Sequence, residues 1–115
     1  MFYRCTSLKQ IPEINCPTVK SGSYLQMFAH CKSLPSAMSI LPATTLAYEC
    51  YQGMFYNCLQ LQSAPELPAT ELVNRCYEYM FLECTSLTNI KVAFTDWNIT
   101  DTSGWVNRSI CFWYI

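Results

Sequence analysis

Apolar residues recur along this chain in steps of four. Between positions 46 and 58 they fall at Leu46, Cys50, Met54 and Cys58, and one place further on at Ala47, Tyr51 and Phe55. The two series return at Leu72, Cys76, Met80 and Cys84, beside Val73, Tyr77 and Phe81. An earlier version runs through Val19, Ser23, Met27 and Cys31, beside Lys20, Tyr24 and Phe28. Side chains four residues apart share a face of an α-helix, so the spacing predicts three amphipathic helices, each with one broad apolar stripe. Thr44 or Thr45, and Thr70, stand where N-caps belong, and Glu71 would favour a first helical turn by its charge. Gly53 falls inside the second expected helix, where glycine costs about 1 kcal/mol relative to alanine.

The stretches between these stripes read differently. Leu61-Gln62-Ser63-Ala64-Pro65-Glu66-Leu67-Pro68 is too short for a helix, and its two prolines exclude the centre of a flat sheet. A strand of a few residues at 62–64, continued by an irregular extended path, is expected. The same expectation holds for 9–14, 35–40 and 89–94.

Helical and extended stretches together form a repeat. Met-Phe occurs at Met1-Phe2, Met27-Phe28, Met54-Phe55 and Met80-Phe81. Each Met is followed four places on by a cysteine (Cys5, Cys31, Cys58, Cys84) and seven places on by a leucine (Leu8, Leu34, Leu61, Leu87). Residues 50–61 and 76–87 agree at six of twelve positions without a gap. A strand–helix unit of this length buries its apolar stripe only by stacking on its neighbours. The expected fold is therefore an α/β repeat solenoid, leucine-rich-repeat-like, with short parallel strands on one side, helices on the other and units of ~26 residues. A helical-hairpin repeat is the structural alternative, and the proline-rich halves oppose it. Residues 1–94 form the expected array, a partial unit at 1–8 and then units of 26–27 residues. Residues 95–115 form an irregular C-terminal segment, a cap or a truncated end.

The units Cys50-Tyr51-Gln52-Gly53-Met54-Phe55-Tyr56-Asn57-Cys58 and Cys84-Thr85-Ser86-Leu87, with Ala64-Pro65-Glu66-Leu67-Pro68-Ala69-Thr70, resemble BspA-type leucine-rich repeats of bacterial surface proteins. The resemblance implies a leucine-rich-repeat-like fold, a cell-surface or secreted setting, and a role in adhesion or protein–protein binding. It implies no catalytic residue and no cofactor, and it fixes no ligand. The Gly104-Trp105 pair is similar to segments that close such arrays; Ser109 to Ile115 is not.

Composition narrows the function classes. The 115 residues are 51% hydrophobic and 13% charged, which opposes intrinsic disorder. Seven basic and eight acidic residues give a net charge of −1, without the basic excess expected of a nucleic-acid binder. The longest apolar run, Ile110 to Ile115, is far short of the ~20 residues of a membrane helix, so no membrane insertion is expected. Met1 to Lys9 lacks the pattern of an export signal. The chain reads as a piece of a longer surface protein that begins inside a unit.

Eight cysteines raise the question of disulfides or metal. Six lie at repeat positions: Cys5, Cys31, Cys58 and Cys84 in one column, Cys50 and Cys76 in another. Neighbouring helices would stand roughly 8–10 Å apart, a poor geometry for disulfides between equivalent positions. The columns therefore read as small buried thiols filling a core, with disulfides between columns as the alternative. Cys16 and Cys111 fall outside them and are the expected accessible thiols. No CxxC occurs and His30 is the only histidine, so a zinc site is not indicated. His30-Cys31 resembles a base beside a nucleophile, but the histidine's position holds Arg4, Asn57 and Glu83 in the other units. Asn98-Ile99-Thr100 and Asn107-Arg108-Ser109 match the glycosylation pattern, a weak signal.

No nucleophile–base–orienter set, phosphate loop or metal set is visible, so an enzyme is not expected. The expected function is a non-enzymatic interaction module that binds a protein or host-surface ligand. Positions such as Gln62, Ser63, Thr88 and Asn89 would vary with that ligand. The rival is a structural spacer with no ligand of its own. Self-association through exposed array ends is also expected, with the uncharged, β-prone 109–115 as one such edge.

Overall fold

A computed structural model describes residues 2–73 and 75–93. The expected C-terminal segment 95–115, with Cys111 and both glycosylation patterns, lies outside the described residues.

The described residues contain no helix, and the expected α/β strand–helix solenoid is not what this sequence forms. Residues 21–30, 48–57 and 75–83, where helices are predicted, are continuous runs of turns. The expected strands are reduced to four isolated parallel bridges: Thr18 with Thr45, Ser36 with Ser63, Ile40 with Glu66, and Leu67 with Val92.

The backbone bonds explain why no helix forms. In 48–57 the amides alternate between two kinds of partner. Those of Cys50, Gln52, Met54, Tyr56 and Cys58 each donate three residues back, to Ala47, Glu49, Tyr51, Gly53 and Phe55. Those of Tyr51, Gly53, Phe55 and Asn57 donate across the fold to Cys76, Glu78, Met80 and Leu82, at 2.8–3.0 Å. The run before it repeats the scheme: Gly22, Tyr24, Gln26, Phe28 and His30 donate to Tyr48, Cys50, Gln52, Met54 and Tyr56. A helix would bond every amide within its own segment, four residues back. Here half of them tie one tier to the next.

Such a run needs a left-handed residue at every fourth place. Positive φ occurs at Gly22, Gln26 and His30, at Glu49, Gly53 and Asn57, and at Arg75, Tyr79 and Glu83. Arg4, one tier earlier, completes the last of these columns. Where such a residue is third in a turn, as Gly53 is in 51–54, it takes the position that type II turns reserve for positive φ. Non-glycine residues pay about 1–2 kcal/mol there. All stand at the outer corners of the runs except Gly53, and several recover interaction across tiers. The Asn57 side-chain amide lies 2.8 Å from His30 Nδ1, and Arg75 Nη1 lies 3.5 Å from Glu49 Oε1. Gly53 is buried at φ 60°, with a virtual Cβ only 3.1 Å from Gln26 Cγ. Its place is thus favourable to glycine, where the sequence predicts a helical cost.

The four-residue step also sets the core. Cys50, Tyr51, Met54, Phe55 and Cys58 are fully buried, and of the pairs between them Gln52, Tyr56 and Asn57 are partly exposed while Gly53 stays buried. Because tiers are joined by backbone bonds, equivalent rings stack directly. Phe2, Phe28, Phe55 and Phe81 form one column with centroids 5.3, 5.6 and 5.9 Å apart. Tyr24, Tyr51 and Tyr77 form a second at 5.5 and 6.0 Å. Rings tilted by 14° or less and held at this distance contribute about 0.5–1.5 kcal/mol per pair beyond area burial.

The extended halves are joined more sparsely. Gln62 donates to Pro35, Glu66 to Ser39, Leu41 to Glu66, Leu67 to Lys91, and Ala93 to Leu67. The offset is 27 residues at Ser36–Ser63 and 26 at Ile40–Glu66. The extra residue of the longer interval is therefore taken up between 36 and 40, as a bulge takes up one residue. The expected caps have no helix to start: Thr45 sits in the bridge with Thr18, and Thr70 lies on an exposed bend.

Substitutions at the corners separate these turns from a helix. Tyr79 is 37% exposed at φ 57°. Tyr79→Gly is expected to be more stable than Tyr79→Ala by about 1 kcal/mol, since only glycine is free of the left-handed penalty. Gly53→Ala is expected to lower stability by a similar amount or more. A helix would reverse both orders. Urea unfolding followed by circular dichroism checks each pair.

Candidate functional site

Where extended halves meet, the described residues leave a groove of about 710 Å3 lined by Pro35, Ser36, Gln62, Ser63, Ser86, Thr88 and Asn89. It brings together all four positions expected to vary with a ligand. Its floor is fixed by the Ser36–Ser63 bridge and by the Gln62 amide, which donates to the Pro35 carbonyl at 2.9 Å. Ser86 Oγ is held by the Leu59 carbonyl at 2.7 Å. The Asn89 amide lies 3.5 Å from Thr88 Oγ1, a long contact that leaves most of its bonding capacity facing solvent. Leu61 and Leu87 are buried behind the groove. The two leucine positions anchor each extended half, and the polar residues beside them face outward. No lining residue carries a charge, so hydroxyls, amides and backbone groups would make the contacts.

A second groove, of about 410 Å3, runs between 9–13 and 36–39 and includes Lys9, Glu13 and Met38. Among the described residues no backbone bond joins 9–15 to 36–42. Over this stretch the first extended half is therefore not tied to the second by the backbone bonds that join the later ones.

The turn face carries the charged chemistry. Glu78 is 4% exposed; Gln52 Nε2 donates to its Oε2 at 2.9 Å, and Arg75 Nε lies 3.4 Å from the same oxygen. With the Glu49–Arg75 contact this makes a polar line across two tiers. It fits a structural role: the buried carboxylate has an amide and a guanidinium against it.

The cysteines follow the backbone. No two of the seven described cysteines are joined by a disulfide. Tier spacing is 5–6 Å at the stacked rings, closer than the helix spacing behind the sequence argument, so distance is not what keeps them apart. Their thiols have another partner. Cys31 Sγ donates to the Phe2 carbonyl at 3.0 Å, Cys58 Sγ to Phe28 at 3.1 Å, and Cys84 Sγ to Phe55 at 3.0 Å. Each of these carbonyls already accepts the local turn bond of the cysteine one tier back, as Phe28 does from the Cys31 amide. The thiol fills the second lone pair. Burial pushes Cys31, Cys50 and Cys58 up and takes Cys76 to about 12. Buried, protonated thiols are poor nucleophiles and poor metal ligands. Among the described residues no group of three histidine, cysteine or acidic side chains is placed to hold a metal ion.

His30 and Cys31 are not brought together. Cys31 is fully buried, whereas His30 lies at a half-buried corner, edge-on to Tyr3 at 5.5 Å and Tyr56 at 5.1 Å. Asn57 Nδ2 donates to its Nδ1, so the neutral ring carries its proton on Nε2. Partial burial, with Arg4 and Lys32 nearby, lowers the His30 pKa. Cys16 is exposed, as its place outside the columns suggests.

No protein-family model, curated protein or solved structure matches this chain.

Native alkylation without reductant is expected to label Cys16 well before Cys50, Cys58, Cys76 and Cys84, as read by peptide mass mapping. The same burial makes stability depend on alkaline pH. Cys76 binds its proton more tightly folded than unfolded, its pKa rising from 9.0 to about 12. Its contribution is full below pH ~9 and is lost as pH rises toward the folded value. Each such thiol steepens the fall by up to ~1.4 kcal/mol per pH unit. Urea unfolding under reducing conditions should show this between pH ~9 and ~10, before tyrosines ionise in the unfolded chain. Cys76→Ala should be less stable at neutral pH and fall less steeply above pH ~9.

Proposed function

We propose that the chain is a non-enzymatic interaction module of a bacterial cell-surface or secreted protein, and that it binds a protein or host-surface ligand through the groove of its extended face. The observation that carries this reading is the groove at Ser36, Gln62, Ser63, Ser86, Thr88 and Asn89. It is shallow and uncharged, and it is built from positions that the core does not constrain. The flanking leucines and the turn runs fix the backbone. These side chains can change without cost to packing, as an interaction surface requires. Hydroxyl and amide groups suit a neutral polar ligand, such as an extended peptide or a glycan held by many modest hydrogen bonds. The resemblance of residues 1–94 to BspA-type sequences supports the surface setting and the adhesive role, and the fold it implies is not part of this proposal.

The purified chain would be screened against glycan and extended-peptide arrays, and any binder re-measured with two variants. Gln62→Ala with Asn89→Ala is expected to weaken binding roughly tenfold or more, about 1.4 kcal/mol. Tyr56→Ala on the turn face is expected to leave it unchanged. A ligand lost only with the turn-face variant would overturn the assignment, and the absence of any binder would favour a spacer.

A further inference from the structure

We propose that the seam between the first two extended halves, 9–15 and 36–42, takes one further strand: an extended peptide with an acidic residue followed four places later by a basic one. The two later seams are tied by their own backbone. The Glu66 amide donates to the Ser39 carbonyl at 2.9 Å and the Leu41 amide to the Glu66 carbonyl at 3.0 Å; Leu67 bonds in the same way to Lys91 and Ala93. In a parallel ladder successive residues turn their amide and carbonyl to opposite neighbours. Leu41 turns toward Glu66, so Ile40 turns the other way. There it lines a groove of about 160 Å3 with Glu13, Ile14 and Asn15. Ile40 pairs in register with Glu66. Glu66 uses both of its backbone groups on the tier before it, whereas those of Ile40 make no backbone bond among the described residues.

The opening is a slot between two tiers that are joined on either side of it. Before it, the Arg4 amide donates to the Ala29 carbonyl at 2.9 Å. After it, Thr18 is bridged to Thr45 and the Gly22 amide reaches the Tyr48 carbonyl at 3.0 Å. The small groove and the 410 Å3 groove share Glu13, Met38 and Ser39, so they form one channel along the seam. A strand laid parallel to the walls gives Ile40 the two bonds that Glu66 has. It also covers Ile11, Ile14, Ala37 and Met38, which are only partly buried, and Ile40, which is 46% exposed. The charges set its sequence. Among the described residues, only Lys9 and Glu13 bring charge to the channel. They stand four residues apart, about 13 Å along an extended chain. A parallel peptide meets Lys9 first and Glu13 four residues later, which calls for an acid and then a base. The polar groove at Gln62, Ser63, Thr88 and Asn89 lies beyond the second extended half, so this proposal stands or falls independently of it.

The test uses the reduced full chain and the end-blocked peptide Glu-Val-Thr-Val-Lys-Val-Thr. With its lysine beside Glu13, the amide of its final threonine is placed to donate to the Ile40 carbonyl. Amide exchange followed by NMR should slow several-fold at Ile40 in the complex and stay unchanged at Asn89. N-methylation of the final threonine should weaken binding about fivefold, the loss of one backbone bond. Lys9→Glu with Glu13→Lys exchanges two exposed side chains. That variant should bind the peptide several-fold more weakly and prefer Lys-Val-Thr-Val-Glu-Val-Thr. No binding of the first peptide, slowing at Asn89 in place of Ile40, or indifference to the N-methyl group or to the charge exchange would overturn the proposal.

Discussion

The alternation of amide partners governs everything else in this molecule. One amide closes a turn within its own run, and the next reaches the neighbouring tier. A segment bonded in this way cannot coil into a helix, because half its donors are committed elsewhere. It cannot extend as a strand either, because the other half fold it back every few residues. The compromise is a corner of positive φ at every fourth position, and those corners are costly for any residue but glycine. What offsets them is the ladder itself, with the phenylalanine and tyrosine columns that it draws to within 6 Å of one another.

The cysteines are a consequence of that bonding. A carbonyl in the interior of a tier accepts one turn amide and still has a lone pair in a dry place. A residue one tier on must be small enough for the core and must offer a proton. Cysteine meets both conditions, and the buried, protonated thiols of Cys31, Cys58 and Cys84 sit 3.0–3.1 Å from those carbonyls. At these three positions the cysteine serves the backbone bonding.

Part of this was legible in the sequence. Of the apolar positions named there, those from Cys50 to Cys58 and from Cys76 to Cys84 are buried, whereas Val19, Tyr24, Met27, Ala47, Leu72 and Val73 are only partly so, and Gln62, Ser63, Thr88 and Asn89 do share an exposed groove. The element type was misread, and the misreading has a physical cause. A helix repeats every 3.6 residues, so its apolar stripe mixes steps of three and four. Leu46, Cys50, Met54 and Cys58 step by four throughout, which on a helix would drift by about 40° at each step. That strict period belongs to a chain with a corner every four residues. Gly22 and Gly53, at one phase of the step, were the other available sign. Of the remaining corners, only Asn57 and His30 carry residue types enriched at positive φ; the others carry Gln, Glu, Arg and Tyr, whose preferences give no such hint, so their conformation was legible only from the bonding between tiers.

The bulge between 36 and 40 has a consequence for how such a chain can change its length. In a turn run, one inserted residue would carry one of each later buried pair outward and put each tier-crossing amide out of step. In the extended half, an extra residue between Ser36 and Ile40 leaves the bridges on either side intact. Insertions are thus tolerated on one face and forbidden on the other. The tolerant face is the one that carries the grooves, so the surface free to diversify in length is also the surface available for contact.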